Sequence, residues 1–476
     1  MMPLVESFLF AGLASAAWVA APTWLPVGWN AEKGLVELGS RLELFVDDFL
    51  IAELDGAELR LNAPRAEEIA IVLNMPWEGE TSAYPSVLHT PDGYFLYYRG
   101  SGREGEPRPE VTCVATSPDG IHWTRPQLGI YEWEGDKANN IILMGDPACH
   151  NFAPFYDRNP NCPPDQRYKA VGGLTSAWGG RDLRAYVSAD GLHWRLMRDE
   201  PIISGPPLDS LNLAFWDEVR GCYIASVRNF THVRTFQLTW SGDFINWAPL
   251  VWADLGEGRN TQLYTTALEP YFRAPHLLLG FPKRFFEDRK VLPDHPYPGV
   301  SDAGFMVSRD ALHFYLWPEA FVRPGLDRED WGDRSRMPAH GIVQTGEREI
   351  SIYITEHYRS PSNRIRRFSL PLDRFASIHA RAKGGQVITK PFTFEGSGLV
   401  LNCSTSAGGM VKVELQDPEG KALPGFELDR CRPVIGDGFE LPVVWQDSPS
   451  LAGIAGRPVR MRLVLWDADV YAFMFT

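Results

Sequence analysis

The chain has 476 residues, a formal charge of −14, 44% apolar and 12% aromatic side chains, enough to bury a large core in more than one domain and too apolar for disorder. The acidic balance excludes nucleic acid as a partner, because phosphate binding depends on clustered Lys and Arg. No apolar run reaches the roughly 18 residues needed to span a bilayer as a helix.

In chain order, the first element is an apolar, small-residue stretch from Phe8 to Ala21, in which Ala14-Ser-Ala16 reads as a signal-peptidase site. The preceding Met1 to Glu6 has no positive charge. Residues 1–21 are thus expected to be a signal segment of a secreted or periplasmic protein, with a cytoplasmic location as the alternative. The cysteines at 113, 149, 162, 222, 403 and 431 form no Cys-x-x-Cys pair. Cys149 with Cys162 and Cys403 with Cys431 are the bridges open to an oxidising compartment; buried thiols are the simpler reading. Residues 40 to 62 then read as a hairpin ahead of the first repeat, a candidate for a closing strand.

A phrase recurs from there: Ser117 to Trp123 (Ser-Pro-Asp-Gly-Ile-His-Trp), Ser188 to Trp194, Ser241 to Trp247 and Ser308 to Phe314, with a degenerate copy from Leu372 to Ile378. Successive aspartates are 71 (119 to 190), 53 (190 to 243), 67 (243 to 310) and 63 (310 to 373) residues apart. Each phrase follows an alternating strand and precedes a short apolar run, so it reads as a turn. Its Asp accepts backbone N–H groups two residues on, and its aromatic anchors the turn. Two further strands lie upstream of each phrase. Repeats of this kind, with strand alternation and no helical period, predict a five-bladed β-propeller over residues 40–380. Its blades are expected over about 81–125, 140–195, 209–250, 261–317 and 336–378. Beyond Ala380 the strands alternate without the phrase, which predicts a β-sandwich over 381–476.

A propeller followed by a sandwich resembles the superfamily that includes glycoside hydrolase families 32, 43 and 68, and more closely uncharacterised bacterial proteins described as family-32-like. The phrases that carry the likeness are Leu44 to Leu50, Ala148 to Pro154, Gly299 to Phe305, Ser351 to Tyr358 and Val400 to Thr405. The resemblance implies an all-β glycosidase fold. In those families three carboxylates act from the first three blades, in motifs that do not occur intact here, so no catalytic residue is carried over. The recurring turns also look like the Asp boxes of sialidases, which lie on the outer rim and do not specify substrate.

In a propeller the ligand site lies where the inner strands begin, helped by the ends of second strands and the starts of third strands. Hydrolysis of a glycosidic bond needs two carboxyl groups. The candidates in these places are Asp209, Glu356, Asp302 and Glu80, led by Asp209 at an inner-strand start and by Glu356, whose apolar run would raise its pKa and suit it to the acid role. Arg99, Arg228, Arg284 and Arg359 end second strands, a placement that suits an anionic sugar or, equally, salt bridges with the carboxylates. His150, Asn151, Tyr264, His340 and His357 complete the expected substrate-binding set. His150, His340, Asp302 and His357 are metal-ligand types, but in no ligand spacing, and glycine-rich phosphate loops, zinc signatures and a nucleophile elbow are missing. The reading is a glycosidase acting on a poly- or oligosaccharide without a cofactor. A phosphorylase and a non-catalytic sugar-binding propeller are the alternatives; the sequence leaves the oligomeric state open.

Overall fold

The computed structural model describes residues 25–173, 181–447 and 449–476. The signal-like segment of residues 1–21 lies outside the described residues. The described chain is all-β, its only helices being short 3₁₀ turns, and none is long and apolar enough to cross a membrane.

Between Ala83 and Pro371 the chain lays down antiparallel sheets one after another. The first runs inward to outward through Ala83–Thr90, Gly93–Gly100, Val111–Ser117 and Ile141–Met144. The second starts at Ala153–Tyr156, the third at Leu213–Asp217 and the fourth at Leu268–Tyr271. The fifth starts with Met337–Pro338 and Val343–Gly346, both on Glu349–Glu356, and continues through Arg364–Pro371. Consecutive inner strands contact each other, a Glu269 carboxylate oxygen accepts from the Ile342 N–H between the fourth and fifth sheets, and Ser86 bridges His340 between fifth and first. Contacts thus run from each of these sheets to the next and back to the first, in a ring of contacts.

Two boundaries differ from expectation. Ile141–Met144 is the outer strand of the first sheet, paired with Val111–Cys113, rather than the start of the second unit; the long segment after Trp123 returns to the sheet it left. The ring is closed by Arg65–Val72, the outermost strand of the fifth sheet, and not by the preceding hairpin. Charge explains the choice: Glu68 meets the Arg367 guanidinium in a two-point contact, and the Ser369 hydroxyl donates to Glu67 at 2.5 Å. Closure with the N-terminal strand removes an exposed sheet edge.

The hairpin belongs elsewhere. Ile51–Asp55 pairs with Gly385–Thr389, and Ala57–Leu61 pairs with Ala376–Ala380. Both join a large sheet built on the long strands Leu399–Gln416 and Arg460–Phe475. Alternation along those strands buries Leu401, Val411, Val413, Leu463, Leu465 and Phe473 in one core. A second cluster places Leu44, Val46 and Ala472 against Phe305, Ile352 and Phe375, so apolar packing is continuous between the ring and this sheet. All six cysteines are buried and unbridged.

The recurring phrases are turns with one shared hydrogen-bond pattern. Asp119 Oδ1 accepts from Ile121 N and His122 N, each at 2.8 Å. Asp190, Asp243 and Asp310 accept the equivalent pairs at 2.8 to 2.9 Å. The residue after each Asp has positive φ: Gly120 73°, Gly191 75°, Phe244 67° and Ala311 66°. Gly120 is also sterically required, because a Cβ there would lie 2.9 Å from Thr345 and 3.0 Å from the Tyr94 ring. The degenerate copy departs from the pattern: Asp373 instead accepts from Tyr271 Oη at 2.7 Å and Arg273 Nε at 2.9 Å.

Candidate functional site

The loops that lead into the inner strands are laced together by side chains that hydrogen-bond to backbone. Asn151 Nδ2 donates to Leu208 O and Ser210 O, and its Oδ1 accepts from Gly173 N. Asn212 Nδ2 reaches the same two carbonyls and its Oδ1 accepts from Arg228 N. Ser210 Oγ donates to Tyr264 O, and Asn363 Nδ2 donates to the carbonyls of Gly79, Glu80 and Ser82. The peptide on which Asp209 sits is therefore fixed from both sides.

Several residues here hold left-handed backbone without being glycine: Tyr84 (φ 56°), Arg334 (59°), Arg336 (57°), His357 (58°) and Arg359 (65°). Such conformations each cost on the order of 1 kcal/mol and persist where surrounding contacts over-determine them, as at binding sites.

At the centre stands His150. Its Nδ1 lies 2.8 Å from Glu110 Oε2 and its Nε2 lies 3.0 Å from Asp209 Oδ1. Arg99 lies beneath, 3.5 Å from Glu110, donating to Thr81 O at 2.6 Å and stacked 4.8 Å from the centre of the Tyr84 ring. The Asp209 and Glu110 side chains are 38% and 35% exposed, so solvent or a ligand reaches both.

The charges reinforce one another. Burial pushes the Asp209 carboxyl up, but the His150 hydrogen bond and charge, with Arg228 and Arg99, outweigh it and hold it well below the usual carboxylate range. Glu110 is likewise lowered, burial being overcome by Arg99 and His150. Burial and Arg99 act to lower His150, and the two carboxylates prevail and raise it. The triad thus favours an imidazolium between two carboxylates.

Next to it is an unusual amine. The Lys283 side chain is fully buried, its Nζ has no hydrogen-bond partner, and it stands 4.1 Å from the centre of the Tyr264 ring. Burial, with Arg334 adding, pushes its ammonium well below the usual lysine range. Arg334 lies 5.5 Å from the same ring, and Arg359 stacks at 3.9 Å on Tyr297 while pairing with Asp333 and Glu104.

The structure brings Asp209, Arg99, His150, Asn151, Arg228, Tyr264 and Arg359 to this end of the ring and separates the rest. Glu356 is 2% exposed and engages Arg336, Arg364 and Arg366 at 2.6 to 3.0 Å, with no partner in common with Asp209. The expected rise in its pKa is reversed: burial does push it up, but three guanidinium groups hold it low. Asp302 forms a two-point pair with Arg284 at 2.6 and 2.8 Å on a separate hairpin, Lys283–Phe286 with Val300–Ala303. Alternation turns that pair to the face opposite Lys283. Glu80 lies on a mouth loop, yet its carboxylate pairs with Arg103 at 2.7 Å. His357 bonds Ser362 at 2.8 Å and Asp327 at 2.9 Å. Asp327, Asp330 and His357 lie close enough to share an ion, but Arg336 and Arg364 already pair with the two carboxylates. His340 sits further along the axis, buried, with both ring nitrogens unbonded.

Residues absent from the expected set are Glu110, Arg334 and Tyr358, whose hydroxyl meets Arg99 Nη2 at 3.4 Å. Glu110 immediately precedes the third strand of the first sheet, Val111–Ser117. That is the rule that selected Asp302 in the fourth unit.

No family model and no curated protein matches the chain. Solved structures to which it is similar include an N-acetylgalactosamine deacetylase from F. plautii in complex with blood group B trisaccharide, at 13% identity over 66% of this chain and 96% of that one, with a TM-score of 0.46. A glycosyl hydrolase from Bacteroides ovatus matches at 14% identity over 66% and 95%, TM-score 0.46. A family 43 arabinoxylan arabinofuranohydrolase from Bacillus subtilis in complex with cellotetraose matches at 11% over 87% and 99%, TM-score 0.41. At these values the likenesses transfer neither activity nor substrate.

Proposed function

We propose that this chain is a five-bladed β-propeller joined to a β-sandwich, and that it is a glycoside hydrolase acting on an oligo- or polysaccharide at the mouth where Glu110, His150 and Asp209 meet. The observation that carries the reading is this carboxylate–imidazole–carboxylate array, one third exposed and set in a ring of fixed loops. Asp209, kept ionised, takes a proton from water as the water oxygen attacks the anomeric carbon. The glycosidic C–O bond breaks, and its oxygen takes the Nε2 proton of the His150 imidazolium, which Glu110 holds in orientation through Nδ1 and which parts from Asp209 Oδ1 as substrate and water enter between them. The Glu80, Asp302 and Glu356 carboxylates are occupied by arginines and serve the scaffold. Arg99, Arg228 and Arg334 give the mouth positive potential, which favours a substrate carrying a carboxylate or sulfate.

One observation supports a second reading. The Lys283 amine, without a hydrogen-bond partner and close to Arg334, would be drawn to its charged form by an inorganic phosphate, and a phosphorylase would need only the proton donor. Product release from neutral, uronate-bearing and sulfated oligosaccharides, with and without phosphate, tests both. Phosphate-independent cleavage supports the hydrolase, and phosphate-dependent release of a sugar phosphate supports the phosphorylase. Binding without turnover on the whole panel would refute both.

A further inference from the structure

The ring has a second opening. At the far ends of the inner strands a cavity of about 200 Å³ is lined from all five sheets, with Phe155, Trp216 and Phe272 among its walls. His340 lines it too, at 2% exposure, held by backbone bonds from Val87 N and to Pro85 O. Neither ring nitrogen has a hydrogen-bond partner. Leaving buried polar groups unmet costs roughly 1–3 kcal/mol each, so a partner is expected there.

The interior carries no net charge. Burial pushes His340 down to about 4, so at neutral pH its ring offers one N–H donor and one bare nitrogen. Burial pushes Glu269 up to about 8, which leaves its carboxyl a neutral donor and acceptor whose other oxygen holds Ile342 N–H. The charged rim residues, Arg158 and Glu218, are exposed and of opposite sign. A cavity of about 150 Å³ already admits a benzene ring, so this one takes a single six-membered ring with polar substituents. Aromatic walls match the C–H faces of a sugar, and paired donors and acceptors match its hydroxyls.

We propose that this cavity is a second ligand site, separate from the Asp209 mouth, that binds one neutral monosaccharide. The inference stands independently of the hydrolase reading.

Saturation-transfer NMR and calorimetry on the full chain, with a panel of neutral monosaccharides, the corresponding uronic acids and neutral disaccharides, test it. The expected result is binding of at least one neutral monosaccharide in preference to its uronic acid and its disaccharides. That binding persists in Asp209→Asn and in His340→Gln, which keeps a donor and an acceptor. It weakens about five-fold in Phe272→Ala, a change at an exposed rim residue that leaves the core intact, and disappears in His340→Leu. The proposal is overturned if no neutral monosaccharide binds, if uronic acids or disaccharides bind equally well, or if binding vanishes in Asp209→Asn while Phe272→Ala leaves it unchanged. The Phe272 and Asp209 variants decide the matter even where His340→Leu fails to fold.

Discussion

Two charge clusters near the inner strands differ in what their carboxylates have left to give. Around Glu356, three guanidinium groups occupy one carboxylate that is 2% exposed. Around Asp209, an imidazole shared between two carboxylates leaves each of them a third open. Charge density therefore does not distinguish a site from a brace; unspent, reachable lone pairs do.

The largest effect expected is on turnover by Asp209→Asn. Removal of a proton acceptor should lower kcat by about 10²- to 10⁴-fold, with little change in thermal midpoint, measured on a substrate found in the oligosaccharide panel. Glu356→Gln should do the reverse. It takes the shared carboxylate from the buried Arg336 and the half-buried Arg364 and Arg366 and should cost about 3 kcal/mol of stability, visible as a lower denaturant midpoint. Equal activity losses in the two variants would erase the distinction between the clusters.

pH sharpens the comparison. His150 is raised above its ordinary value, so its share of stability is complete below about 6.5 and is lost as pH rises through the higher folded value. Glu356 is lowered, so its share is present above about 4.3 and lost as pH falls through the lower folded value. The alkaline limb of kcat/KM should consequently lie above the usual histidine range and vanish in His150→Asn, whereas acid unfolding should respond to Glu356→Gln. Smaller still is Lys283→Met. Replacing an unpartnered buried amine by a chain of similar volume should leave the thermal midpoint equal or a few degrees higher, while KM for an anionic substrate rises. The smallest effect belongs to Asp119→Ala, which removes the acceptor of one turn and should cost about 1 kcal/mol without altering kcat.

The repeating turns were legible because every group that makes them lies within a few consecutive residues. Ser117, Asp119 and Gly120 satisfy one another locally, and the Ser–Asp pairs at 188/190, 241/243 and 308/310 repeat this. Sheet membership was less legible because it depends on partners far along the chain. Arg65–Val72 and the hairpin at residues 51–61 look alike as strands, and Arg367, some 300 residues away, decides which one closes the ring. At the site, position along inner strands found Asp209 and His150. Glu356, at a second-strand end, and Asp302, at a third-strand start, met companion rules; Arg284 makes with Asp302 the salt bridge that its position equally allowed, whereas Arg364 and Arg366 reach Glu356 from a neighbouring strand and carry no signal beside it in the sequence. Glu110 was hidden in a Pro-rich loop whose only signal was its place before a third strand.

The most direct test is chemical rescue of turnover by azide, in Asp209→Ala and Glu356→Ala side by side, on an aryl glycoside of a sugar identified in the panel. A catalytic carboxylate in an open site leaves a gap that a small anion fills, so azide should restore turnover in Asp209→Ala and leave Glu356→Ala unchanged. Rescue of Glu356→Ala alone, or full activity in Asp209→Ala without azide, would contradict the assignment of the reaction to the Glu110–His150–Asp209 mouth.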